Sequence, residues 1–159
     1  MLRRVFVYGT LRAGHHNNHI LGAARWVGKG KTASSWRMYD LGSGFPGVVW
    51  PGAGDGSSRA RGGEGGGGGA GGYSIVGEVY EVDDAGMEAC DRLEGYKEAG
   101  GGMYDRVKVQ VSLLEQREQG GGKLGELMDA WMYTFNGGVS GMSEIVSGDW
   151  NSWTGREGS

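Results

Sequence analysis

The chain alternates between short apolar segments and glycine-rich stretches. Residues 5–8 form a β-branched and aromatic run that stops at Gly9, which is typical of a buried strand. Residues 105–114 alternate between apolar and polar positions, which predicts an antiparallel strand with one face in water. Further segments with strand character cover residues 25–35, 36–41, 48–50, 73–82 and 128–135. Together these segments predict about six strands.

A helix follows the apolar segment 73–82. Asp83 or Asp84 can cap its N-terminus, and its periodicity extends to about Glu94. A second, short helix around residues 20–21 would dock on the sheet. Short strands joined by glycine turns, with one or two flanking helices, favour an α+β fold built on a closed or nearly closed β-barrel.

The length and composition restrict the class of protein. With 159 residues we expect a single domain over 1–150, followed by a C-terminal tail over 151–159. A net charge of -3 does not favour nucleic acid or an anionic membrane as a partner, and no apolar run reaches membrane-spanning length. The single cysteine, Cys90, agrees with a cytoplasmic location, and we interpret it as a small core residue.

Glycine is strongly over-represented, with 36 residues. It occupies 12 of the 21 positions from 52 to 72, which leaves almost no side chain there that could join a core. Because strand patterns lie on both sides, we predict a flexible surface insertion within the domain over 52–72.

The turn after the first apolar segment is the first candidate binding site. Gly9 lets another group approach the main chain, Thr10 adds a hydroxyl and Leu11 points to the core. Arg12 is expected to return the chain to solvent. Such a turn presents several backbone N–H groups in one direction and can hold a carboxylate or an oxyanion. The alternative interpretation is an ordinary turn between a strand and a loop.

Glu94 is the second candidate, because it lies on the apolar face of the predicted helix. At about 100° per residue, Glu94 falls between Met87 and Cys90. Burial would raise the pKa of its carboxyl, and a carboxyl that titrates near neutrality can take and return a proton during catalysis. Two alternatives stay open: the helix ends early and Glu94 is solvated, or Glu94 pairs with Arg106.

Other patterns that suggest cofactors lack the required context. His15 and His19 are four residues apart and would share a helix face, but no third metal ligand is evident. A phosphate loop ending at residues 30–32 would need glycine where Arg25 stands. The GxGxxG letters of residues 42–47 are followed by a strand pattern and not by a helix. We therefore predict neither a metal nor a cofactor.

Two short motifs together resemble the gamma-glutamylcyclotransferase-like family. They are Tyr8-Gly9-Thr10-Leu11 and Leu93-Glu94-Gly95-Tyr96. Other stretches fit the family pattern in order: Val5-Phe6-Val7, Leu41-Gly42-Ser43-Gly44-Phe45-Pro46-Gly47, Gly77-Glu78-Val79-Tyr80, Tyr104-Asp105-Arg106, Ala130-Trp131-Met132-Tyr133 and Ser147-Gly148-Asp149-Trp150. The resemblance covers most of the chain except the glycine-rich insertion and the C-terminal end.

The resemblance implies a small mixed β-barrel with a cavity at its mouth and a small-molecule γ-glutamyl substrate. The implied reaction is release of 5-oxoproline by attack of the α-amine on the γ-carbonyl, without a cofactor. The resemblance also implies a role for each of seven residues: the γ-glutamyl group would be gripped by Tyr8, Gly9, Thr10 and Leu11, Glu94 would be the catalytic acid and base, and the pocket would be lined by Tyr104 and Tyr133.

The chain departs from the family in its glycine runs. Residues 100–102 lie between Glu94 and Tyr104, and we expect them to form a mobile rim over the pocket. The leaving group therefore stays open between the dipeptide of glutathione, an amino acid and an amine conjugate. The alternative function is a non-catalytic small-molecule-binding protein that keeps the barrel pocket.

Overall fold

A computed structural model describes residues 2–15, 17–22, 24–42, 44–51, 72–98, 101–116 and 125–153. The predicted insertion over 52–72, apart from Gly72, lies outside these residues, as do residues 154–159 of the tail. Within the described ranges, no helix has the length and apolar character needed to cross a membrane.

Eight strands and one α-helix make up the described fold. The strands are β1 (Arg3–Val7), β2 (Arg25–Thr32), β3 (Arg37–Asp40), β4 (Pro46–Val49), β5 (Val76–Val82), β6 (Tyr104–Gln116), β7 (Leu127–Phe135) and β8 (Ser143–Glu144). The helix α1 spans Asp84–Glu94, and two short 3₁₀ helices span Asn18–Leu21 and Trp150–Ser152. The sequence pattern did not predict β8, because two residues carry no periodicity.

Five strands close into a barrel in the order β1-β5-β2-β6-β7. β1 and β7 pair in parallel at Val5 and Trp131, and the other neighbouring strands are antiparallel. This confirms the predicted α+β fold with a mixed β-barrel. β4, β3 and β8 form a separate antiparallel sheet, whose strand β4 contacts β7 of the barrel.

Apolar side chains such as Phe6, Val79 and Met132 fill the barrel interior and are fully buried. The strands β1 and β5 approach each other closely at Gly77. A Cβ atom at this position would collide with the carbonyl oxygen of Val7 and would lie 2.8 Å from Cζ of Phe6. Only glycine therefore fits at this point of the barrel wall.

Helix α1 packs against the outside of the barrel within the bounds that the sequence predicts. The Asp83 side chain caps it by accepting a hydrogen bond from a backbone N–H of the first turn at 2.8 Å. Gly95 ends it in the left-handed conformation, with φ 70°. Met87 and Cys90 are buried in a cluster with side chains of β1 and β5, so Cys90 is the core residue that we expected. Glu94 is the last helical residue.

Candidate active site

A cavity of about 270 Å³ opens between the turn after β1, the start of β4 and the C-terminal end of α1. It brings together seven residues from separate parts of the chain, namely Tyr8, Gly9, Thr10, Leu11, Glu94, Tyr104 and Tyr133. These are the residues that the sequence analysis assigned to the site, and their roles stay predictions. Asn17, Phe45 and Pro46 also line the cavity, and sequence reasoning did not identify them.

Glu94 is the one carboxyl among the described lining residues, which include no Lys, Arg or His. Within the described part of the chain, its carboxyl group has no hydrogen-bond donor and no ion-pair partner. Burial raises the pKa of this carboxyl to about 7 from its ordinary value of 4.5, because the charged form loses hydration. Glu94 can therefore exchange a proton near neutral pH.

Neither alternative that the sequence left open for Glu94 occurs. Arg106 donates to Asp91 at 2.6 Å instead, and its guanidinium lies over the rings of Tyr96 and Trp131 at 4.5 and 4.9 Å. The helix does not end early, because α1 includes Glu94 and this residue is partly buried.

The raised pKa of Glu94 predicts how stability depends on pH. Between pH 4.5 and about 7 the folded protein holds a proton on Glu94 that the unfolded chain has already lost. The free energy of unfolding therefore falls as the pH rises through this window. Replacing Glu94 with Gln removes this titration. We expect Glu94→Gln to match the wild type below about pH 4 and to be more stable above about pH 8, by on the order of 2 kcal/mol.

Urea unfolding of the wild type and Glu94→Gln at about pH 4 and about pH 8 measures this difference in the free energy of unfolding. Glu88→Gln is the matched control, because Glu88 lies on the exposed face of the same helix and should show no such pH-dependent gain. A Glu94→Gln variant no more stable than the wild type at the higher pH would contradict the burial of this carboxyl.

Among the described residues, the three carbonyl groups of the turn after β1 have hydrogen-bond partners and its three backbone N–H groups have none. The carbonyl oxygens of residues 9, 10 and 11 accept hydrogen bonds, in that order, from the backbone N–H of Arg12 at 3.0 Å, the backbone N–H of Asn17 at 3.1 Å and the side-chain amide of Asn18 at 2.8 Å. No described residue accepts a hydrogen bond from the backbone N–H groups of residues 9–11. A turn with bound carbonyls and available N–H groups is suited to an anion.

The tyrosines around the cavity use their hydroxyl groups to hold its walls together. The hydroxyl of Tyr104 donates to the carbonyl oxygen of Pro46 at 3.0 Å, and that of Tyr8 donates to the carbonyl oxygen of Tyr133 at 2.7 Å. The hydroxyl of Tyr133 donates to Asp91 on α1 at 2.6 Å. Burial raises the pKa of all three phenols, so they stay protonated at neutral pH.

Arg12 is buried, contrary to the expectation that it returns the chain to solvent. It is 2% exposed and forms ion pairs with Glu78 on β5 and with Asp149 near the C-terminus. Local sequence gave no signal for this burial, since both partners are distant along the chain. Asp91, which holds Tyr133 and Arg106, was missed for the same reason.

His15 and His19 do not share a helix face, because the 3₁₀ helix begins at Asn18. The ring of His15 lies 2.6 Å from the side-chain oxygen of Asn151. The described residues contain no group of three His, Cys, Asp or Glu side chains placed to hold a metal ion.

The rim of the cavity carries two exposed apolar side chains. Leu93 and Met103 line it and are 39% and 55% exposed. Of the predicted glycine rim at 100–102, only residues 101 and 102 are described, and neither lines the cavity. The carbonyl of Gly102 is held by the side chain of Asn136 at 2.8 Å. Met103, and neither of these two glycines, is thus the residue of this segment that lines the cavity.

Known proteins share this sequence pattern and fold. The family described as gamma-glutamyl cyclotransferase, AIG2-like, matches residues 5–64 and 67–152. A Drosophila melanogaster protein named as a candidate gamma-glutamylcyclotransferase is 37% identical over 138 residues, which are 84% of this chain and 69% of that protein. A Niallia circulans protein named gamma-L-glutamyl-butirosin B gamma-glutamyl cyclotransferase is 28% identical over 134 residues, 83% of this chain and 66% of that protein.

The fold comparison agrees with the sequence comparison. The crystal structure of an AIG2-like protein from Mus musculus has a TM-score of 0.58 and 27% identity to this chain, over 84% of this chain and 76% of that one. A small mixed β-barrel with one packed helix is thus the shared architecture. The chain belongs to the gamma-glutamyl cyclotransferase, AIG2-like, family.

Proposed function

We propose that this protein releases 5-oxoproline from a γ-glutamyl compound, with Glu94 as general acid and base. The observation that carries the proposal is a single cavity that holds both a carboxyl with a pKa of about 7 and a turn whose N–H groups have no acceptor among the described residues. Membership of the family supports the same class of reaction.

The substrate carries both reacting groups, so the protein needs to fold it and to move protons. The α-nitrogen forms a bond to the γ-carbonyl carbon, and the bond between that carbon and the leaving nitrogen breaks. In the net reaction the α-nitrogen loses two of its three protons and the leaving nitrogen gains two. Glu94 carries these protons in turn and ends the cycle as a carboxylate.

The turn at residues 9–11 is proposed to bind the negative charge of the substrate. Its N–H groups would hold the α-carboxylate or the oxyanion that develops at the γ-carbonyl. The rings of Tyr8, Tyr104 and Tyr133 would pack against the short apolar stem of the γ-glutamyl group. Because the described lining has no cationic side chain, the donors proposed for a carboxylate are the backbone N–H groups of the turn and the hydroxyl of Thr10, which accepts from Asn17 and keeps its own proton available.

The leaving group would extend toward the apolar rim formed by Leu93 and Met103. The Niallia circulans relative is named for γ-L-glutamyl-butirosin B, so at least one relative is named for a γ-glutamyl compound other than glutathione. We propose that this chain accepts a γ-glutamyl amide, and its leaving amine is to be identified by experiment.

The test is release of 5-oxoproline from a panel of γ-glutamyl compounds: glutathione, γ-glutamyl amino acids and γ-glutamyl-ε-lysine. We expect release from at least one member without added metal or cofactor, and the preferred member names the leaving group. Binding of γ-glutamyl compounds without release would instead support a non-catalytic binding protein.

A further inference from the structure

Three charged residues form a cluster next to the turn at residues 9–11 and do not line the cavity. Arg12 and Glu78 are 2% and 8% exposed, and Asp149 completes the group, which we call the buried triad. The guanidinium of Arg12 contacts Glu78 at 3.4 Å and Asp149 at 2.9 Å. It therefore connects the turn to the barrel strand β5 and to the segment before the C-terminal 3₁₀ helix.

Glu78 contacts the backbone of the turn directly. Its Oε1 atom accepts two hydrogen bonds. One comes from the backbone N–H of Ala13 at 2.9 Å and the other from the hydroxyl of Tyr80 at 3.1 Å. That hydroxyl in turn accepts from the side-chain amide of Asn18 at 3.2 Å, and the same amide donates to the carbonyl oxygen of Leu11 at 2.8 Å. The peptide groups before and after Arg12 are thus both connected to the Glu78 carboxylate, one indirectly and one directly.

A buried ion pair is an inefficient source of stability, because removing two charges from water costs about as much as their attraction returns. The contacts of the buried triad are instead concentrated on the turn. Glu78 accepts directly from the backbone N–H of Ala13. The carbonyl oxygen of Leu11 is held by Asn18, which reaches Glu78 through the hydroxyl of Tyr80. These contacts fix the two peptide groups that directly follow the turn, and they thereby limit how the segment that carries the N–H groups of residues 9–11 can shift.

We infer that Arg12, Glu78 and Asp149 are positioning residues that orient the anion-binding turn toward the cavity. This inference rests on the proposed function, because it takes the turn to bind the α-carboxylate of the substrate. None of the three residues lines the cavity, so they act through the backbone of residues 9–13.

The test is Glu78→Gln, which keeps the size of the side chain and removes its charge. We expect KM for the preferred γ-glutamyl substrate to rise about tenfold or more while kcat changes less than about threefold, because binding of the substrate charge is weakened and the proton carrier Glu94 is untouched. Arg12→Lys should give a smaller rise, since an ammonium keeps the charge but cannot bridge two carboxylates as a guanidinium does.

Glu81→Gln is the matched control. Glu81 lies on the same strand and forms an ion pair with Arg25 at 2.8 Å, away from the turn, so its KM should equal that of the wild type. Should Glu78→Gln fail to fold, Asp149→Asn is the second variant, because Asp149 is more exposed than Glu78. It should raise KM in the same direction.

A second readout does not depend on turnover. Titration of ¹⁵N-labelled protein with 5-oxoproline should shift the amide resonances of residues 9–11 in the wild type, and the same shifts should need about tenfold more ligand in Glu78→Gln. If the wild-type shifts occur and need about tenfold more ligand in Glu78→Gln, while no substrate is turned over, the proposed reaction is wrong and the positioning role stands. If turnover occurs but Glu78→Gln lowers thermal stability with KM unchanged, the buried triad is only structural. Absence of any shift in the wild type would also overturn the inference.

Discussion

Glu94→Gln is expected to lower kcat for release of 5-oxoproline by about 10²- to 10⁴-fold, the range that general acid–base catalysis contributes. The reason is that Glu94 is the one carboxyl among the described lining residues, so no neighbouring group there can take over the proton transfers. Glutamine keeps the size and the polarity of the side chain but cannot carry a proton.

The measurement is 5-oxoproline formation at pH 7 with wild type and variant side by side. Glu88→Gln, a change of the same chemistry on the exposed side of α1, should retain full turnover. The circular dichroism spectrum of Glu94→Gln should match that of the wild type, which separates loss of the proton carrier from loss of fold. Normal turnover by a folded Glu94→Gln variant would refute the mechanism.

Gly77→Ala is expected to destabilise the fold by about 3 kcal/mol or more, at or above the upper end of ordinary overpacking. The added Cβ atom would collide with the carbonyl oxygen of Val7 and lie 2.8 Å from the ring of Phe6. Neither obstacle can rotate away cheaply, because one is backbone of the adjacent strand and the other fills the barrel interior.

Urea unfolding of Gly77→Ala measures this effect. The matched control is Gly138→Ala, because a Cβ atom at Gly138 would meet nothing within 4 Å. That control should change the free energy of unfolding by less than about 1 kcal/mol, since it changes only backbone freedom. Equal stability of the two variants would show that β1 and β5 are not as close as described.

The two halves of the candidate site are held by different polar clusters. The turn at residues 9–11 is anchored by the buried triad, in which Arg12, the residue after the turn, forms ion pairs with Glu78 and Asp149. The C-terminal end of α1 is held to the barrel by Asp91, which accepts hydrogen bonds from Tyr133 on β7 and Arg106 on β6. The buried triad and the pair Asp91–Arg106 lie outside the cavity, and Tyr133 is the member of these clusters that lines it.

The sequence by itself determined the barrel strands, the helix α1 and the two site motifs. Strand and helix periodicity are local properties, so the barrel strands, the bounds of α1 and the inward position of Glu94 could be predicted from neighbouring residues. The caps act within one turn of the helix, so the sequence narrowed the N-cap to Asp83 or Asp84, and the structure has Asp83.

The tertiary structure alone decided how the buried charges pair. Arg12 lies 66 residues from Glu78 and 137 from Asp149 along the chain, and Arg106 pairs with Asp91 rather than with Glu94. Such choices depend on which groups folding brings within hydrogen-bond distance, because burying a charge is costly unless it is paired. For Arg12, local sequence pointed to solvent, while the partners that permit its burial come from β5 and the C-terminal segment.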